Sequence, residues 1–190
     1  GSAAILMNVN NGEVLSLVSL PDFDPNKRID ISDLKYINRV SKGVYELGSV
    51  FKTFTLAAAL NENTLDTNTE FIGLKKKIKC GKNTISEYDD NIPSNLSAEQ
   101  ILIRSGNIGS VRIAQTVGLE KFKEFINKLN LINSIQFDIE EVGVPVSFKW
   151  GKCKLATVSY GHGITTTILQ LANAYSIIVN GGYKIEPTLI

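Results

Sequence analysis

The chain has 190 residues, 43% of them apolar and 21% charged, enough for a buried core and too apolar for a disordered or low-complexity segment. Twenty basic against nineteen acidic side chains leave a formal charge of +1, without the basic excess of a nucleic-acid binder. One histidine and two cysteines exclude a metal centre built on two histidines and a dense disulfide framework.

In chain order, Gly1-Ser2 reads as an expression scar and is set aside; no signal peptide is recognisable, and no apolar run reaches the roughly 18 residues of a membrane span. Two short apolar runs, 3–9 and 13–19, flank Asn11-Gly12, which predicts a β-hairpin because both turn positions need positive φ. Pro21-Asp22-Phe23-Asp24-Pro25 then makes a turn-rich loop. Residues 49–61 predict a helix that follows Gly48 and is apolar nearly all round, hence buried. Residues 71–93 read as an irregular or hairpin insertion. Lys75, Lys76, Lys77, Lys79 and Lys82 cluster there, as a solvated loop or, in a rival reading, a contact for an anionic surface.

Ser97 with Gln100 forms a capping-box pattern opening a helix through Arg104. Ser105-Gly106-Asn107 interrupts it, and a second helix runs over 108–117 to Gly118. A third, amphipathic helix is predicted over 120–131, with Phe122, Phe125, Ile126 and Leu129 on one face. Thr167 and Gln170 repeat the capping box for a helix reaching about Val179, ended by Asn180-Gly181-Gly182. No repeat and no linker is evident, so one domain is expected, with helix outweighing strand. Cys80 and Cys153 lie 73 residues apart and read as free thiols rather than a disulfide. His162, between glycines, reads as a structural or surface residue, with the mouth of a site as the rival. Ser110 reads as packing, and Asp89-Asp90 as a solvated loop rather than a metal site.

The residues that carry chemistry are Ser49 and Lys52. At spacing i, i+3 they share one helix face, and a serine at a helix N-terminus sits where backbone dipoles favour developing negative charge. Desolvation on an apolar helix lowers a lysine pKa, and a neutral amine beside a hydroxyl can take its proton without a histidine. A second S-x-x-K pair, Ser32 and Lys35, lacks the preceding glycine and the apolar helix and reads as a decoy.

The stretch Tyr45-Glu46-Leu47-Gly48-Ser49-Val50-Phe51-Lys52-Thr53-Phe54 resembles the active-site helix of class B penicillin-binding proteins, most closely the septal cell-division transpeptidases of Gram-negative bacteria. Ser105-Gly106-Asn107, 56 residues after Ser49, is similar to the family's second motif, S-x-N, between two helices. Tyr160-Gly161-His162-Gly163-Ile164, the stretch Leu169-Gln170-Leu171-Ala172-Asn173-Ala174-Tyr175 and Asn180-Gly181-Gly182 resemble the region before the third motif. That motif, K-T-G or K-S-G, is absent. The resemblance implies an α+β fold, the partial penicillin-binding-protein/serine β-lactamase-like transpeptidase fold. It comprises an N-terminal β-hairpin and a mostly α-helical lobe over 3–190, with the C-terminal sheet strands missing.

The same resemblance implies the roles. Ser49 would attack the carbonyl of the penultimate D-alanine of a peptidoglycan stem peptide ending in D-Ala-D-Ala. The acyl-enzyme would then be resolved by a second peptide's amine. Lys52 would be the acylation base and Ser105 a proton relay to the leaving nitrogen. Asn107 would hold the acyl side chain and help orient Lys52. Ser49 N–H would be one oxyanion donor and an N–H beyond K-T-G the other, so this fragment is expected to be inactive alone. No cofactor and no metal is implied. β-Lactam antibiotics would be covalent ligands of the intact domain, and cell-division proteins partners of the parent. The parent would be anchored by one helix at the periplasmic face of the inner membrane. The strand over 3–9 would lack its partner, so strand-edge or swapped homo-oligomers are expected. The rival readings are a non-catalytic β-lactam sensor or structural relative, and a serine β-lactamase.

Overall fold

A computed structural model describes every residue of the chain except Ile29 and Ile31. The strands are β1 (Ser2–Met7), β2 (Val14–Leu20), β3 (Tyr45–Glu46), β4 (Glu70–Phe71), β5 (Lys77–Cys80), β6 (Asn83–Ser86), β7 (Leu96–Ser97) and β8 (Thr165–Thr166). The helices are α1 (Lys52–Asn61), α2 (Ala98–Ile103), α3 (Asn107–Val117), α4 (Leu119–Lys128), α5 (Lys154–Val158) and α6 (Ile168–Val179). Helix outweighs strand, as the periodicity predicts. Where the sequence shows one domain without a linker, the chain forms two compact units. Neither is contiguous in sequence, which is why no break in composition marks them.

The first unit comprises Gly1–Tyr45, Leu129–Ser147 and Thr165–Ile190. The predicted hairpin is present, with β1 and β2 antiparallel from Ser2 opposite Leu20 to Met7 opposite Val14, but its turn differs: residues 8–13 connect the strands, and of the Asn11-Gly12 pair only Gly12 takes a positive φ. Ser2, set aside in the sequence reading, thus opens the first strand. Gly12 has φ +82°, and a Cβ there would lie 2.1 Å from the Glu186 carbonyl oxygen, so conformation and close approach both demand glycine. The inward residues Ala3, Ile5, Met7 and Leu17 pack on the buried Val14, Val40, Ile135 and Leu169. Helix α6 carries the expected capping box between Thr167 and Gln170. The Gln170 amide also donates to the Asn130 and Asn133 carbonyls, tying α6 to the segment after α4.

The second unit comprises Glu46–Lys128 and Phe148–Ile164. Phe51, Phe54, Ala58 and Ala59 are fully buried, as are Val111, Ala114, Phe122 and Ile126. Helix α1 therefore runs through the middle of this unit, as its nearly all-round apolar sequence predicts. Two predicted helix boundaries shift by more than one residue. The first turn of the predicted 49–61 helix is a 3-10 turn over Gly48–Phe51, with no side-chain cap at its start. Helix α4 stops at Lys128 rather than 131, because Asn130 takes φ +56°, a left-handed conformation that ends helices.

The insertion at 71–93 contains the β5–β6 hairpin, with Lys77 opposite Ser86 and Cys80 opposite Asn83. Its alternation sends Ile78 and Cys80 inward onto Ile85, Ile108 and Val111, and leaves Lys77 and Lys79 exposed. The cysteines correct the free-thiol expectation: Cys80 and Cys153 form a disulfide with Cα atoms 5.7 Å apart. The inward pleat at Cys80 meets the segment leading into α5, whose Ala156 packs on the same apolar cluster. A separation of 73 residues in sequence says nothing about that proximity.

Candidate active site

All four sequence-predicted site residues lie in the second unit. Ser49 is exposed at the second position of the Gly48–Phe51 turn. Lys52 opens α1 one turn later, and its backbone N–H donates to the Ser49 carbonyl. The turn is held from behind by the segment after α5. Gly48 N–H donates to the Gly161 carbonyl at 3.1 Å and Leu47 N–H to the Ile164 carbonyl at 3.2 Å. Gly161 has φ +86°, and a Cβ on it would fall 1.8 Å from the Gly48 carbonyl oxygen. One turn along α1, Thr55 Oγ1 donates to the buried Ser159 carbonyl at 2.7 Å.

The Lys52 side chain is only 2% exposed. Its Nζ donates to Ser105 Oγ at 3.0 Å and to the Ser105 carbonyl at 2.5 Å. The S-x-N loop predicted to approach Lys52 does so through its serine. Burial pulls the Lys52 pKa down from 10.5 to about 8, and the negative charge of Glu87 opposes part of that fall. At pH 7 roughly one molecule in ten then carries a neutral amine, far more than for an exposed lysine.

Ser105 has φ +53°, unusual for a residue with a side chain. The cause is local. Ser105 N–H donates to the Leu102 carbonyl and Gly106 N–H to the Ile101 carbonyl, the double bond of a Schellman ending to α2. Ser105 therefore occupies the position that usually belongs to glycine. Helix α3 starts at once, at Asn107, with Gly106 as a cap that has no side chain. The Asn107 amide nitrogen donates to the Ser86 carbonyl at 2.9 Å, so its tie is to the β5–β6 hairpin. The resemblance implies that Asn107 helps orient Lys52; here it acts on the loop that carries Ser105. The Ser32–Lys35 pair shows no comparable setting: Ser32 Oγ bonds Asp30 and Lys35 pairs with Asp33 in an exposed loop.

Three further residues build this site: Glu87, outside every motif, and Glu46 and His162, which lie inside the quoted stretches without a role assigned there. Glu87, the residue after β6, accepts from two backbone N–H groups of α3. Glu46 accepts from Gly163 N–H at 2.5 Å, and His162 Nδ1 lies 2.9 Å from the same carboxylate oxygen. His162 stacks on Tyr160 and is exposed, a surface position of the kind its flanking glycines suggest. A single acidic residue outside any motif carries no sequence signal, because its partners are backbone atoms.

A hydroxyl heading a helix, a buried lysine a turn later and a second serine on that lysine form a constellation suited to a serine acyl-transfer domain that needs no histidine. The chain belongs to the penicillin binding protein transpeptidase domain family, which it matches over residues 2–190. It is 32% identical over 183 residues to a probable peptidoglycan D,D-transpeptidase FtsI of Caulobacter vibrioides, covering 96% of this chain and 31% of that protein. It is 30% identical over 183 residues to a probable peptidoglycan D,D-transpeptidase PenA of Neisseria flavescens, covering 95% of this chain and 45% of that one. The solved transpeptidase domain of penicillin-binding protein 3 from Burkholderia pseudomallei superposes with a TM-score of 0.83 at 27% identity, over 98% of this chain and 52% of that chain. The α+β transpeptidase fold expected from the sequence is thus present, and the chain spans less than half the length of these two curated relatives.

Proposed function

We propose that the protein carrying this chain is a peptidoglycan D,D-transpeptidase working through a serine acyl-enzyme. The observation that carries the reading is the contact of buried Lys52 with Ser105, one turn from an exposed Ser49. In it, Lys52 takes the Ser49 proton as Oγ attacks the carbonyl of the penultimate D-alanine, and Ser105 passes a proton to the departing D-alanine nitrogen. Ser49 N–H supplies one oxyanion donor. In this reading Asn107 would hold the acyl side chain. A second stem-peptide amine then resolves the ester and forms the cross-link. β-Lactams would acylate the same hydroxyl. The work belongs at the periplasmic face of the inner membrane, in septal synthesis with cell-division partners, as the Tyr45–Phe54 stretch suggests. None of the described helices is long and apolar enough to cross a membrane.

The test uses the longer gene product that includes this segment. Incubated with fluorescent penicillin, it should take up one label, lost in Ser49→Ala and Lys52→Ala, and should release D-alanine from a donor peptide. Labelling that survives Ser49→Ala sinks the assignment. Rapid, repeated turnover of nitrocefin would favour a β-lactamase instead, and binding without ester formation a sensor. No K-T-G or K-S-G occurs in these 190 residues, so the chain by itself should acylate at a rate lower by about 10²- to 10³-fold, the loss typical of one oxyanion donor. Intact mass after penicillin treatment reads this directly.

A further inference from the structure

We propose that Glu87 is a positioning residue that holds the Ser105–Asn107 loop in register with Lys52 by capping α3 from outside the helix. The inference rests on the transpeptidase reading and adds a residue that no motif of that reading contains.

Helix α3 begins two residues after the left-handed Ser105, and the intervening Gly106 offers no side chain to its first N–H groups. Those groups need acceptors. Glu87 supplies both: Oε2 accepts from Asn107 N–H at 2.6 Å and Oε1 from Ile108 N–H at 2.9 Å. A carboxylate at this end of a helix is also favoured by the backbone dipoles. The neighbours of Glu87 extend the grip. The Ser86 carbonyl takes the Asn107 amide at 2.9 Å, and Tyr88 OH donates to the Arg104 carbonyl at 3.1 Å. Three consecutive residues thus hold both sides of Ser105. They are themselves fixed, since Glu87 N–H donates to the Lys76 carbonyl at 3.0 Å and the disulfide pins Cys80 on the partner strand.

The same carboxylate is the charged group whose field acts on Lys52. Among the described residues the hydrogen-bond partner of the amine is Ser105, from the α2–α3 loop, and it is neutral. Glu87 therefore has two effects, geometric on the loop and electrostatic on the base. An opposite charge favours the ammonium, so removing it must lower the Lys52 pKa.

The decisive measurement needs no activity. Lysine Cε signals of the 190-residue chain are followed by NMR across pH, with Lys52 assigned by its loss in Lys52→Arg. Glu87→Gln should move the Lys52 midpoint down by about 0.5 to 1 pH unit, while Glu87→Asp should leave it closer to the parent. In the unaltered protein, the Asn107 and Ile108 amide protons should be protected from exchange with solvent, a readout that survives if a variant fails to fold. Asn107 and Ile108 amides that exchange freely, or a Lys52 midpoint unmoved in a folded Glu87→Gln, would overturn the proposal. In the longer gene product, Glu87→Gln should also shift the rising limb of the acylation–pH profile to lower pH. A cap with no influence on the base would lower the rate and leave the limb in place. Absence of any Ser49 labelling in the parent would defeat the transpeptidase reading alone, because the NMR titrations decide Glu87 independently.

Discussion

Lys52 is held by two oxygens of one residue in a place that water barely reaches. Its folded-state pKa of about 8 lies below the ordinary 10.5, so below pH 8 both folded and unfolded chains carry the charge and the folded state bears the full cost of burying it. As pH rises from about 8 to 10.5 the folded state releases its proton first, and that cost of up to about 3 kcal/mol disappears. Lys52→Met should therefore stabilise the protein by about 1 to 3 kcal/mol at pH 7, after loss of its two hydrogen bonds, and by much less at pH 10. Urea midpoints at the two pH values test this, and an equal gain at both would contradict it. Ser105 carries a second local cost. Its φ of +53° suits glycine, so Ser105→Gly should raise stability by about 1 kcal/mol while removing the hydroxyl from Lys52; Ser105→Ala should bring no such gain. Thermal melts of the pair decide the matter, and a glycine variant less stable than the alanine one would refute it. Both residues were legible in the sequence as chemistry. The left-handed backbone of Ser105 was not, because nothing in the residue type announces it.

At the level of elements, the caps were the easiest features to read. Ser97 with Gln100 and Thr167 with Gln170 are reciprocal bonds closed within four residues, so the sequence contains every atom they need. The disulfide is the opposite case, joining a strand to a helix start across 73 residues. It closes the loop that contains α2, α3 and α4, and its removal should cost about 2 to 4 kcal/mol. The double variant Cys80→Ser/Cys153→Ser should unfold at lower urea than the oxidised parent and match the parent under reductant. Reaction of both cysteines with a thiol reagent in the native, unreduced protein would show the bond to be wrong. Gly161 belongs at this scale too. It was quoted only as part of a resemblance, yet its missing Cβ is what lets the carbonyl of Gly48 approach and so sets the turn that carries Ser49.

For the molecule as a whole, the first hairpin leads to a prediction about behaviour in solution. Among the described residues β1 pairs with β2 alone, and Leu6, Val18 and Leu20 on the outward face are 59%, 43% and 44% exposed. A strand whose second edge has no partner among the described residues, as in β1 beside this apolar face, recruits another strand. The chain should therefore self-associate with rising concentration through β1 of a second copy, and Leu6→Lys should return it to a monomer. Sedimentation velocity over a hundredfold concentration range reads the outcome, and a parent that stays monomeric throughout would discard the idea.

The first hairpin, the buried first helix, both capping boxes and the serine–lysine pair were readable along the chain, because each depends on residues close together in sequence. Tertiary structure decided which serine meets Lys52, how far its pKa falls, where Glu87 stands and that the two cysteines join. Those outcomes depend on burial and on backbone groups brought together across tens of residues, and no spacing along the chain encodes them.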